Sequence, residues 1–164
     1  MIRICADRDF DSILEIINDG ARAYKGIIPH DCWHEPYMAR PELSHEIADG
    51  VVFYGCEEEG VLVGVMGIQD RGDVSLIRHA YVRTARRNCG IGTRLLGFLQ
   101  STTTKPLLVG TWAAAAWAIA FYEKRGYKVL PPHDKDRLLR KYWNIPRRQV
   151  DTSVVLAGPG WPHP

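Results

Sequence analysis

Between Leu76 and Leu99 the residues that could bind an anion stand in a row: an apolar strand, then Arg87-Asn88-Cys89-Gly90-Ile91-Gly92, then an amphipathic helix. A helix that begins at a tight glycine turn leaves its first N–H groups unpaired, and its macrodipole adds roughly half a positive charge there. Glycine at 90 and 92 lets a ligand approach the backbone where a Cβ would stand in the way. The chemistry this suits is phosphate or pyrophosphate binding. A P-loop would require Lys-Ser/Thr after the last glycine, and Thr93-Arg94 stand there. A dinucleotide fingerprint would require a third small residue where Leu95 falls and an acidic residue about 20 positions on. Neither is present.

A second segment, Ala118-Ile119-Ala120-Phe121-Tyr122-Glu123-Lys124-Arg125-Gly126-Tyr127, carries a candidate proton donor, Tyr122. A phenol of pKa about 10, above that of a free thiol, stays protonated at neutral pH and can donate to a developing thiolate without ionising first. A third stretch is rich in aromatic and charged groups: Tyr24, His30, Asp31, Trp33, His34, Glu35 and Tyr37. Tyr24, Trp33 and Tyr37 suit the caging of a cation or a flat group, with Asp31 adding charge, or alternatively the plugging of a core.

The Arg-x-x-Gly-x-Gly loop after its strand, followed by A-x-x-F-Y-E-K-x-G-Y, resembles the GNAT (GCN5-related) N-acetyltransferases. The resemblance runs over about 1–130 in layout and is sharp at 76–99 and 107–129. It implies an α/β fold with a mixed, mostly antiparallel central sheet, a splayed parallel strand pair and helices on both faces. It implies acetyl-CoA as cofactor, its pyrophosphate held by the N–H groups of Arg87, Asn88, Cys89, Gly90, Ile91, Gly92 and Thr93. Tyr81 and Val82 would offer backbone to the pantetheine, and Tyr122 would be the general acid. Ala115 stands where many members carry a cofactor-binding asparagine. Leu76 and Gly110 occupy the positions where relatives place a carboxylate base. His79, a histidine of near-neutral pKa on the same strand, is one candidate base; His30, His34, Asp31 and Glu35 of the aromatic stretch, or a water relay, are the alternatives. The function so implied is acetyl transfer to a primary amine, of a small molecule before a protein, by direct attack. The alternatives are a silent acyl-CoA-binding module and a nucleotide-binding protein using the same loop.

These groups must be positioned by elements the pattern outlines: strand 2–4, a helix with Ile13, Ile16, Ile17 and Ala21 on one face, and a helix at 41–48. A hairpin follows at 51–56 and 61–68 around a 57–60 turn, then strand 74–82, helix 91–103 and strand 107–112. Helix 114–125 is expected to turn Ala115, Ala118 and Tyr122 toward a cleft and Trp117 and Phe121 toward the core. Strand 127–129, helix 137–142 and strand 150–156 complete the order.

At 164 residues, 46% hydrophobic and 24% charged, the expectation is one domain over 1–157 and a disordered tail at 158–164. A net charge of +2 gives no footprint for nucleic acid, and Arg83, Arg86, Arg87 and Arg94 cluster beside the anion loop. The four scattered cysteines suggest neither a metal site nor a disulfide framework. With no signal peptide or membrane span in the pattern, a cytoplasmic protein is expected; the family adds a homodimer.

Overall fold

The computed structural model describes residues 1–162; of the tail expected at 158–164, His163 and Pro164 lie outside the described residues. One seven-stranded sheet, in the order β1-β2-β3-β4-β5-β7-β6, organises the chain. Its strands are β1 (Ile2–Ile4), β2 (Val51–Glu58), β3 (Val61–Asp70), β4 (Ser75–Val82), β5 (Leu107–Trp112), β6 (Lys128–Val129) and β7 (Ser153–Ala157). The helices are α1 (Phe10–Ala21), α2 (Arg40–Ala48), α3 (Ile91–Ser101), α4 (Ala116–Glu123), α5 (Pro132–Tyr142) and α6 (Arg147–Asp151). The sheet is mixed, with β4 and β5 as its parallel pair. Two compact units divide the chain, and β4 passes from one to the other.

The first unit comprises Met1–Ala23, His34–Asp70 and Ile77–Thr104. Its hairpin is tighter than the charged run Glu57–Gly60 suggests. Both strands continue to the two-residue turn Glu59-Gly60, whose φ values of 52° and 79° match the right-handed strand twist. Ile13, Ile16 and Ile17 of α1 pack with Leu43 of α2 and with Val51, Phe53, Leu62 and Val65 of the hairpin. A face of four such side chains removed from water stabilises the unit by several kcal/mol, at roughly 1.5–3 kcal/mol each. Asp9 does not cap α1 through its side chain. It accepts from Ala6 N at 2.7 Å and takes both arms of Arg3, fixing the entry from β1.

The second unit comprises Tyr24–Trp33, Arg71–Leu76 and the chain from Lys105. Here the parallel pairing begins: Ser75 N–H donates to Pro106 O at 2.9 Å. β7 inserts between β5 and β6, pairing antiparallel with both. Helix α5 begins at Pro132, five residues before the expected start, because a proline at the first helical position initiates rather than breaks a helix. The short α6 behind Pro146 was not expected from the pattern. Leu138, Leu139 and Val150 from these helices pack with Leu76, Leu108, Val155 and Ala157. At the tail, Gly158 N–H donates to Leu107 O, and Trp161 packs against the same core.

Candidate active site

In the first unit, β4 ends at Val82 and the chain makes a one-turn 3-10 helix at Thr84–Arg86 before α3. Three contacts hold this connection. Arg83 N–H donates to Val63 O at 2.9 Å and its Nε to Leu62 O at 2.8 Å, while Thr84 N–H donates to Asp19 Oδ2 at 2.6 Å. Beyond it, Asn88 and Gly90 both sit in the left-handed region, at φ 61° and 77°. Glycine enters that region freely and asparagine more readily than most residues. The turn so made leaves the amides of Asn88, Cys89, Gly90, Ile91 and Gly92 without a hydrogen-bond acceptor among the described residues. α3 then buries Ile91, Leu95 and Leu99, and a Cβ on Gly64 would lie 2.7 Å from Ile91 Cγ2, so β3 admits the helix start closely. The surrounding arginines are partly neutralised: Arg86 and Arg94 share Glu58, and Arg83 pairs with Glu15. Upstream, Tyr81 rests against Gly20, where a Cβ would come within 2.8 Å of its ring.

Two residues before Tyr81, His79 takes φ 52° in the middle of β4. A left-handed residue in a strand is the mark of a bulge, and it breaks the alternation from which side-chain direction is read. The ring stacks on Phe53, with centroids 6.0 Å apart, and its Nε2 lies 3.4 Å from Glu46 Oε2 of α2. Arg78 spans the same carboxylate at 2.9 Å and Gln69 Oε1 at 2.7 Å; Gln69 is fully buried and donates to Asp49 O. Burial pushes the His79 imidazole below its ordinary value; Glu46 opposes this and Arg78 adds to it. Burial also opposes ionisation of Glu46, but the His79 and Arg78 contacts outweigh it and hold the carboxyl low. Glu42, one helical turn before Glu46, is raised by burial and by the Glu46 charge. No sequence motif singles out Glu46. Its spacing of four from Glu42 on a helix was the available signal, but only the fold brings it to β4.

In the second unit, Tyr122 is buried, edge-on to Phe121 at 5.0 Å and tilted against Tyr127 at 5.5 Å. Its hydroxyl makes no hydrogen bond among the described residues. Burial among these rings, with Tyr24 and Tyr127 as neighbours, drives its pKa well above the ordinary phenol value, so it stays protonated at neutral pH. The expected facing of α4 is reversed in part. Trp117 is 46% exposed and stacks on Tyr24 at 5.8 Å, while Phe121 is covered by the Arg125 guanidinium at 3.9 Å. The reason is that α4 is only two turns long and its buried side is the Ala115–Tyr122 side. Ala115 is itself fully buried: its amide donates to Trp112 O and its carbonyl accepts from Ala118 and Ile119.

The aromatic stretch does not stay together. Tyr24, Asp31 and Trp33 belong to the second unit, and Tyr37 to the first, where it packs on the α1 core. Asp31 is engaged by both arms of Arg148, at 2.9 and 3.2 Å, so its charge is already met. Leu76 is fully buried, and Gly110 lies under Trp143, so neither relatives' position has room for a base.

Residues 49–129 match the family model described as an acetyltransferase (GNAT) domain. No curated protein matches significantly in sequence. Among solved structures, the chain is similar to a PaiA N-acetyltransferase from Thermoplasma acidophilum in complex with coenzyme A. That likeness has a TM-score of 0.73 at 17% identity, over 96% of this chain and 97% of that one. A GNAT-family acetyltransferase from Staphylococcus aureus Mu50 gives 0.71 at 18% identity, over 96% and 97%. A ribosomal-protein-alanine N-acetyltransferase from Brucella melitensis gives 0.62 at 23%, over 80% and 86%. At these identities the structural likeness speaks for the fold, and the family match speaks for the class. The chain carries a GNAT acetyltransferase domain. It is an acyl-CoA-dependent acetyltransferase. Among the described residues, no helix is long and apolar enough to cross a membrane.

Proposed function

We propose that residues 1–157 act as one domain that moves an acetyl group from acetyl-CoA to the primary amine of a small molecule by direct attack. The observation that carries this reading is the set of unspent amides from Asn88 to Gly92, shaped by two left-handed residues. Those amides are the donors for the pyrophosphate; the Arg87 amide, expected to join them, already donates to Thr84 O at 3.4 Å. Tyr81 and Val82 lend backbone to the pantetheine arm. Acetyl-CoA supplies the thioester carbonyl that the amine attacks.

The chain's own residues handle the protons. His79 takes one from the acceptor's ammonium, which frees the nitrogen lone pair for attack. Tyr122 gives its hydroxyl proton to the departing sulfur and is reprotonated by the proton that the new amide nitrogen sheds. One proton is released overall, from His79 to solvent. Tyr24 and Trp33 are the aromatic residues we assign to the acceptor; Tyr37 packs on the α1 core instead. With four free cysteines, the chain suits a reducing cytoplasm.

The test is thiol release from acetyl-CoA with polyamines, amino acids, aminoglycosides and a peptide bearing a free N-terminal alanine. Turnover with a small amine is expected. Turnover with the peptide alone would contradict the small-molecule assignment, and turnover with none would contradict the transfer itself.

A further inference from the structure

The His79 ring has one nitrogen whose surroundings fix its protonation. Nε2 is shut off from solvent and has no hydrogen bond meeting good geometry among the described residues; Glu46 Oε2 faces it at 3.4 Å. A neutral imidazole carries one N–H and one lone pair, and a lone pair turned on a carboxylate is repelled. The carboxylate therefore selects the tautomer with hydrogen on Nε2. Glu46 is not free to swing away. Arg78 Nη2 holds the same Oε2 at 2.9 Å, and its Nη1 is tied to the buried Gln69, itself anchored to Asp49. The left-handed backbone at His79 is a strained choice for a residue with a Cβ, and such strain persists where the surroundings enforce it.

We infer that Glu46 is the positioning residue for His79, holding the Nε2–H tautomer so that Nδ1 is the atom that accepts the proton from the acceptor's ammonium. The inference rests on the reading of His79 as the base. In the step, an ammonium N–H bond breaks, an Nδ1–H bond forms and the amine keeps the electron pair. The imidazolium charge then faces Glu46. Arg78, on the same strand, competes for that carboxylate; Phe53, from β2, brings no charge. His45 and Glu42 act on Glu46 from its own helix.

Long-range 15N–1H NMR of the wild-type protein reads the tautomer without any substitution: the Nε2–H form is expected at neutral pH, and the Nδ1–H form would overturn the inference. In Glu46→Gln the His79 titration should fall by about one pH unit, because the charge that favours the imidazolium is gone. The acid limb of kcat/KM for the amine should move with it, while KM for acetyl-CoA stays unchanged. A His79 titration that coincides with wild type would overturn the inference. A pH profile unchanged in His79→Gln would instead overturn the reading of His79 as base, and the wild-type tautomer would still decide whether Glu46 orients the ring.

Discussion

The Asn88–Gly92 loop and the Tyr122 hydroxyl both hold hydrogen-bonding capacity in reserve, but by opposite means. The loop does so with backbone, through two left-handed residues that turn the amides away from any internal acceptor. Tyr122 does so with one side-chain atom, walled by Phe121 and Tyr127 and left unpaired. A backbone site is indifferent to most side chains and sensitive to φ. A side-chain site in apolar surroundings is indifferent to its ring and sensitive to its hydroxyl. The two regions should therefore fail in different kinetic parameters.

The largest effect should come from Tyr122→Phe. Losing the proton donor should lower kcat by about 10²- to 10⁴-fold. KM for acetyl-CoA and the unfolding midpoint should hold, because the hydroxyl supports nothing in the fold. A matching rise in KM would mean the hydroxyl binds rather than donates. Because burial raises the phenol pKa above 10, no alkaline loss of activity should appear below about pH 10 from this group.

The loop should answer in binding. Gly90→Val puts a β-branched residue at φ 77° with open space for its side chain, so the cost is conformational. At about 1–2 kcal/mol, the Kd for acetyl-CoA should weaken about tenfold or more in calorimetry. Asn88→Gly keeps the left-handed turn and should bind as wild type does. Equal losses in both would show that side chains, not backbone, make the site.

A smaller effect should follow Gly64→Ala, whose Cβ would meet Ile91 at the start of α3. Urea denaturation should show about 1–3 kcal/mol of lost stability, with acetyl-CoA binding weakened and the chemical step, measured at saturation, unchanged. Asp9 gives the fold-only control. Its Arg3 partner holds its carboxyl down to about 2. A depressed pKa stabilises above the unfolded value near 3.8 and is lost as pH falls toward 2. The stability gap between wild type and Asp9→Asn should be present at pH 7 and close over that window, with kcat untouched.

How much of this the sequence discloses follows the same division. The backbone site is legible because its requirements are local: glycine spacing, a strand before and an apolar helix face after. The segment bearing Tyr122 is legible by its motif, but its packing is not, since a two-turn helix has no long periodicity to show which side is buried. His79 could not be oriented from alternation because its own backbone is left-handed, at φ 52°, inside β4. The Glu46 contact is 33 residues away in sequence and exists only through α2 docking. The aromatic stretch read as one pocket because composition says nothing of which core claims each ring; Arg148 claims Asp31 across 117 residues.

The most direct test of the account is calorimetric titration of wild type and Gly90→Val with acetyl-CoA, CoA, ATP and NAD. Acetyl-CoA and CoA should bind wild type, ATP and NAD should not, and Gly90→Val should lose most of the CoA affinity. At 100 times Kd the ligand should also add about 2.7 kcal/mol to unfolding. Equal binding of NAD or ATP, or CoA affinity indifferent to Gly90, would contradict the assignment of these amides to the acyl donor.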